Sequence, residues 1–265
     1  MTTWVLLRGL TRERAHWGGF AAELVSADPG ARIVALDLPG AGTLWQQRCP
    51  LRVEAMVQAC RFQLAQADAA PPYVLFGLSL GAMVALAWAA TEPAEVEACV
   101  LVNTSLRTLS PPWQRLRWQR LPRLLALLST RNPWRTERAI LQLTSAMPAQ
   151  HMSVLAEWVA VRTTRPVSTA NALRQLIAAA RFGLPMQPPI ATLVMRSTGD
   201  TLVDPRCSLA LAAALGAEVL THADAGHDLP LDAGRWTAFS AAEWVQRLRR
   251  RASKATAPSP PSHSA

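Results

Sequence analysis

Short apolar runs alternate with longer segments of helical period through the first and last thirds of the chain. Residues 4–7 (Trp-Val-Leu-Leu), 32–36, 73–76, 98–102, 191–195 and 218–220 read as strands, and 53–67, 80–90, 207–215 and 235–249 as helices. Short apolar strands separated by helices predict an α/β protein with about six mostly parallel strands covered on both faces. Residues 106–185 break that rhythm and carry no strand-like run. Their helical candidates are 113–129, 136–146, 152–162 and 170–181, with Pro122 and Pro133 breaking or bounding the first two. A helical insertion between two sheet strands predicts a cap over the strands' carboxyl ends, where open α/β sheets bind ligands. The expected organisation is a core at 1–105 and 186–250, a cap at 106–185, and a polar, Pro-rich tail at 251–265 that should be disordered.

Within this frame Gly77-Leu78-Ser79-Leu80-Gly81 stands out because of its flanks. A β-branched and aromatic run precedes it and an alanine-rich helical stretch follows. Strand, Gly-x-Ser-x-Gly, helix is the context in which this motif marks a nucleophile. The sharp turn strains the serine, and glycines let strand and helix approach closely.

A serine nucleophile needs a base, and the base needs an orienting acid, in the chain order Ser, then Asp or Glu, then His. Asp200 fits the second place, after the strand at 191–195, and His227 the third, after the strand at 218–220. Asp204 reads as a helix cap, while Asp224 and Asp228 read as turn residues flanking the histidine. His16 and His222 read as structural, His151 as a cap residue, and His263 falls in the tail. Two backbone N–H groups should face the developing oxyanion, from Leu80 after the nucleophile and from Leu10 in the loop after the first strand.

The 265 residues are 50% hydrophobic, enough for one domain with a large core. No apolar run approaches the ~20 residues of a membrane span. The four apolar residues at 4–7 are followed by Arg8, which does not resemble a secretory leader. Cys49, Cys60, Cys99 and Cys207 are scattered without a Cys-x-x-Cys pair, so buried free thiols in a reduced, cytoplasmic protein are expected, with no metal or organic cofactor. The net charge of +9 is unevenly placed. Residues 106–185 carry twelve arginines against Glu137 and Glu157, and 26 of the 27 basic residues are arginine. No nucleic-acid reading motif accompanies this charge.

The chain resembles the α/β-hydrolase fold family, in its capped carboxylesterase form, over nearly its whole length to about residue 250. The pieces are Leu-Leu-Arg-Gly-Leu at 6–10, Asp-Leu-Pro-Gly-Ala-Gly at 37–42, the Ser79 motif, Gly-Asp-Thr-Leu-Val at 199–203 and Gly-His at 226–227. The resemblance implies hydrolysis of a carboxylic ester or thioester by Ser79, His227 and Asp200. Members usually have His-Gly where this chain has Arg8-Gly9, often have His in place of Ala41, and open with a pair of strands missing here. The design is also similar to the pimeloyl-carrier-protein methyl esterase group, which implies that cap arginines could receive an acidic acyl-carrier protein. A soluble, arginine-rich helical surface accounts for the same composition. An acyltransferase using the same triad and a non-catalytic binding protein on this scaffold remain as alternatives.

Overall fold

The computed structural model describes residues 2–130, 132–186 and 190–256. Among the described residues six strands form one sheet: β1 (Thr3–Leu7), β2 (Arg32–Leu36), β3 (Tyr73–Leu78), β4 (Val96–Val102), β5 (Thr192–Ser197) and β6 (Glu218–His222). Their order is β2-β1-β3-β4-β5-β6 and every pairing is parallel. The chain runs from β1 outward to β2 and returns to the other side of β1 as β3. The sheet therefore reverses direction between β1 and β3, and their carboxyl ends form the crevice where ligands bind in such folds.

The helices are α1 (Phe20–Ala27), α2 (Glu54–Gln66), α3 (Leu80–Thr91), α4 (Pro112–Arg115), α5 (Leu121–Ser129), α6 (Pro133–Thr144), α7 (Leu155–Thr164), α8 (Thr169–Arg181), α9 (Arg206–Leu215), α10 (Leu229–Asp232) and α11 (Gly234–Thr256). Period-two alternation splits the inner strands between two apolar layers. Val5, Leu7, Leu75 and Leu101 pack with α2, α3 and α9 on one face. Trp4, Leu6, Phe76 and Val100 pack with α1 and α11 on the other. Both faces being covered explains why these strands read as unbroken apolar runs. The edge strands β2 and β6 are only half-buried.

All four cysteines are free and buried. Burial pushes the Cys60 and Cys99 thiols up to about 12. No described helix is long and apolar enough to cross a membrane.

Three elements depart from the sequence expectation. Helix α1 was not anticipated: it is a short helix following Gly18-Gly19, and its apolar face closes onto α11. The helical candidate at 113–129, expected to be broken or bounded at Pro122, is divided earlier, at Leu116. Helix α4 ends at Arg115, Leu116 turns extended (φ −142°, ψ 109°), and α5 starts afresh with Pro122 in its first turn. A proline ring is tolerated there but not in a helix interior. Helix α11 continues to Thr256, past the expected end at Arg249. Good helix formers fill its last turns, and ion pairs Arg247–Glu218 and Arg249–Glu97 tie it to the sheet. The rest of the expected disordered tail, with His263, lies outside the described residues.

Candidate active site

Ser79 joins β3 to α3 with φ 57° and ψ −114°, a left-handed conformation that a serine adopts only under strain. The flanking glycines make the turn possible. A Cβ at Gly77 would stand 2.5 Å from the Ala82 nitrogen, and one at Gly81 would overlap the Leu7 carbonyl. Helix α3 thus lies directly on the backbone that leaves β1. Ser79 N–H donates to Val102 O (2.9 Å), and Thr104 Oγ1 donates to Ser79 O (2.9 Å), fixing the elbow to the end of β4.

The loop after β1 comes up against Ser79. A Cβ on Gly9 would be 3.2 Å from Ser79 Cβ and 3.8 Å from its Oγ, so a side chain there would crowd Ser79. The N–H groups of Leu10 and Leu80 have no acceptor among the described residues. For Leu80 the reason is general, since the first amides of a helix lack an intrahelical partner. The loop's shape is held from the insertion: Gln175 of α8 accepts from Thr11 N–H (2.8 Å) and donates to Pro39 O (3.2 Å).

His227 and Asp200 are brought together and buried. His227 Nδ1 lies 2.7 Å from Asp200 Oδ2, while Asp200 Oδ1 accepts the N–H groups of Leu202 (2.8 Å) and Val203 (2.9 Å). Burial by itself lowers the imidazole pKa, but the Asp200 charge and hydrogen bond reverse this and leave it raised. No hydrogen bond joins Ser79 Oγ to His227 among the described residues. Their loops are linked through Asn103, a buried residue at φ 45° beside Thr104. Its Nδ2 donates to the carbonyls of His227 (2.9 Å) and Gly226 (3.2 Å), and its Oδ1 accepts Ser197 N–H (2.9 Å). One side chain thereby spans the ends of β4 and β5 and the histidine loop.

Asp228, read from the sequence as a turn residue, has a different role. Its carboxylate receives both terminal nitrogens of Arg8, at 3.1 and 2.6 Å, across 220 residues of chain. Both partners are buried, and Arg8 also sits 4.8 Å over the Trp17 ring. Burial pushes the Asp228 carboxyl up, yet the Arg8 charge and hydrogen bond outweigh it and hold the group below its ordinary value. A parallel arrangement continues along the same loop. Arg12 pairs with Glu137 of α6 (2.6 Å) and lies 4.0 Å over Trp158, Arg162 also pairs with Glu137, and Arg165 pairs with Glu13. His16 stays neutral in this setting, its pKa driven well down by burial and then by Arg12 and Arg8.

The arginine noted as a departure at position 8 is thus one half of a buried pair, and the loop after β1 is where core and insertion are joined. Only partner identity could have exposed this, and nothing in the local sequence around Asp228 points 220 residues back. Asp204 was expected as the cap of α9 but stands one residue before the N-cap Pro205, where it accepts Arg206 N–H (3.0 Å). His151 heads a short turn and lies 3.3 Å from Asp232. Among the described residues no three His, Cys, Asp or Glu side chains are placed to hold a metal ion.

Solved structures share this architecture. An esterase from Exiguobacterium antarcticum superposes with a TM-score of 0.76 at 15% identity, over 93% of this chain and 92% of that one. The enol-lactonase from Burkholderia xenovorans gives 0.75 at 20% identity, covering 92% and 91%. A thermophilic esterase from Thermogutta terrifontis gives 0.73 at 19%, covering 94% and 90%. At these identities the likeness is one of fold. No curated protein matches the chain in sequence. A sequence model of the alpha/beta hydrolase family matches residues 4–242. With that match spanning most of the chain, the protein belongs to the alpha/beta hydrolase family.

Proposed function

We propose that the protein is a serine hydrolase that cleaves a carboxylic ester or thioester, with residues 106–185 as a cap over the site. His227 takes the Ser79 proton as Oγ attacks the substrate carbonyl, and the Leu10 and Leu80 amides receive the oxyanion. Collapse of the tetrahedral intermediate expels the alcohol or thiol, which takes its proton from His227. Water activated by the same imidazole then releases the acid from Ser79. Asp200 holds the ring and stabilises its cation. The Ser79–His227 hydrogen bond forms with substrate bound, since such contacts often tighten only in the complex.

The observation that carries this reading is the strained Ser79 beside two unpartnered amides, with a buried His227–Asp200 pair on the adjoining loops. Esterase and lactonase neighbours of the same fold agree with it. Of the insertion arginines, Arg107, Arg115, Arg120, Arg162 and Arg165 already bond within the chain, which narrows the surface left for an acidic carrier protein. The test is covalent labelling by a fluorophosphonate together with hydrolysis of esters of graded acyl length. Wild type should label and turn over, and Ser79→Ala should do neither. Labelling that survives Ser79→Ala would overturn the assignment of the nucleophile.

A further inference from the structure

Helix α5 has apolar residues on both sides. Leu124 and Leu127 are half-buried, whereas Leu121 and Leu125 are 43% and 56% exposed. Trp118, in the helical turn that leads into α5, is 68% exposed. Residues 118, 121 and 125 are spaced i, i+3 and i+7, so they form one stripe, and it faces water. Trp113 in α4 and Trp134 in the first turn of α6 are also exposed, at 64% and 45%. A soluble surface scatters its apolar residues, and a concentration of large ones within one short segment marks a surface that meets something.

The charge around the stripe says what that is. From residue 98 to 136 the chain contains no Asp or Glu, and the next acid, Glu137, is buried between Arg12 and Arg162. Arg123, Arg135 and Arg138 are exposed, and their side chains have no partner among the described residues. Outward Trp and Leu flanked by unpaired arginines is the pattern of a helix that lies in a bilayer interface, with its apolar face among the acyl chains and its arginines at anionic headgroups. An acidic protein partner would use the arginines but leave the outward Trp-Leu stripe without a purpose.

We propose that the α4–α6 segment docks the protein on an anionic phospholipid surface, with Trp118, Leu121 and Leu125 inserted and Arg123, Arg135 and Arg138 at the headgroups. The segment is fixed close to the candidate active site. Arg117 N–H donates to Leu202 O, Asp204 N–H to Gln114 O and Asp228 N–H to Thr144 O, which attaches it to the loops following Asp200 and His227. Docking does not rest on the proposed chemistry, so it can be measured in the Ser79→Ala protein.

The full-length Ser79→Ala protein is to be sedimented with phosphatidylcholine vesicles and with vesicles that also contain phosphatidylglycerol, across a range of salt. Binding should require phosphatidylglycerol, weaken with salt, and shift tryptophan emission to shorter wavelength. Each arginine lost should weaken binding about fivefold. Arg123→Gln/Arg135→Gln/Arg138→Gln should therefore weaken it on the order of a hundredfold. Trp118→Ser/Leu125→Ser should abolish the emission shift. All of these residues are exposed, so far-UV circular dichroism should match the parent. Failure to sediment with anionic vesicles at low salt would overturn the proposal, as would binding that both variants leave unchanged. So would arginine-dependent capture of a purified acidic acyl-carrier protein by a chain that ignores vesicles.

Discussion

His227 and Asp228 are adjacent, both buried and both hydrogen-bonded to an oppositely charged or chargeable group, yet they turn to different strand-end loops. His227 faces the β5 side, where Asp200 leaves its imidazole able to gain and lose a proton. Asp228 faces the β1 side, where Arg8 favours its ionised form. In the proposed mechanism the first pair serves proton transfer, and the second fixes the loop that presents the first. A titrating pair and a locked pair can share a dipeptide because the strand-end loops on either side supply different partners. Substitutions should separate chemical from structural consequences on the two sides.

The largest effect should come from the titrating side. Asp200→Asn should lower kcat by about 10⁴-fold while leaving the fold intact, as loss of the orienting carboxylate does in serine triads. The pH profile carries the sign. The imidazole must be neutral to act as base, and its pKa is raised above 6.5, so activity in wild type should fall off on the acid side above pH 6.5. Without the Asp200 charge, burial is the dominant remaining influence and the acid limb should move to lower pH. A limb that stays in place would mean that His227 does not set it.

Breaking the locked pair should cost stability before chemistry. Removing one partner of a buried ion pair leaves an uncompensated charge, so Arg8→Gln and Asp228→Asn should each cost about 3–5 kcal/mol in denaturant unfolding. Their effects on the acid limb should differ in sign. Asp228 raises the His227 pKa and Arg8 lowers it, so Asp228→Asn should move the limb down and Arg8→Gln should move it up. Acid adds a further check. The Asp228 pKa is depressed below 3.8, so its contribution is complete above that value and lost as pH falls through the folded-state pKa. The stability gap between wild type and Asp228→Asn should therefore narrow only below pH 3.8. A gap that closes nearer neutrality would assign it to another group.

How far these features could be read from the sequence follows the range of the interactions involved. The strands, the elbow at Ser79 and the loop glycine at Gly9 are local patterns of period, strain and close approach, and residues 73–81 contain nearly all the information for their own geometry. Asp200 and His227 were readable because chain order and strand-end placement constrain them. The Arg8–Asp228 pair, the Asn103 clamp and the Arg12–Glu137–Arg162 cluster are set by which loops the sheet order makes neighbours, so no window around any one of them reveals the contact. Counting twelve arginines in the insertion likewise obscured that some, such as Arg115, Arg162 and Arg165, are half-buried and bonded within the chain while others are solvated.

A contrast between a buried arginine of the loop after β1 and an exposed one of the insertion supports the smallest prediction. Arg12 is buried against Glu137 and Trp158, whereas Arg138, one residue from Glu137, is exposed and without a side-chain partner among the described residues. Arg138→Gln should change unfolding free energy by no more than about 0.5 kcal/mol, the ordinary range for a surface position without special contacts. Arg12→Gln should cost several times more, because Glu137 and the Trp158 face would lose a buried cation. Chemical denaturation of the two single variants beside wild type makes the comparison directly. If Arg138→Gln destabilised the chain as much as Arg12→Gln, the exposed arginines would belong to the structural network and could not be free for headgroups. A near-zero change would place Arg138 outside that network, where its charge is free to meet a headgroup.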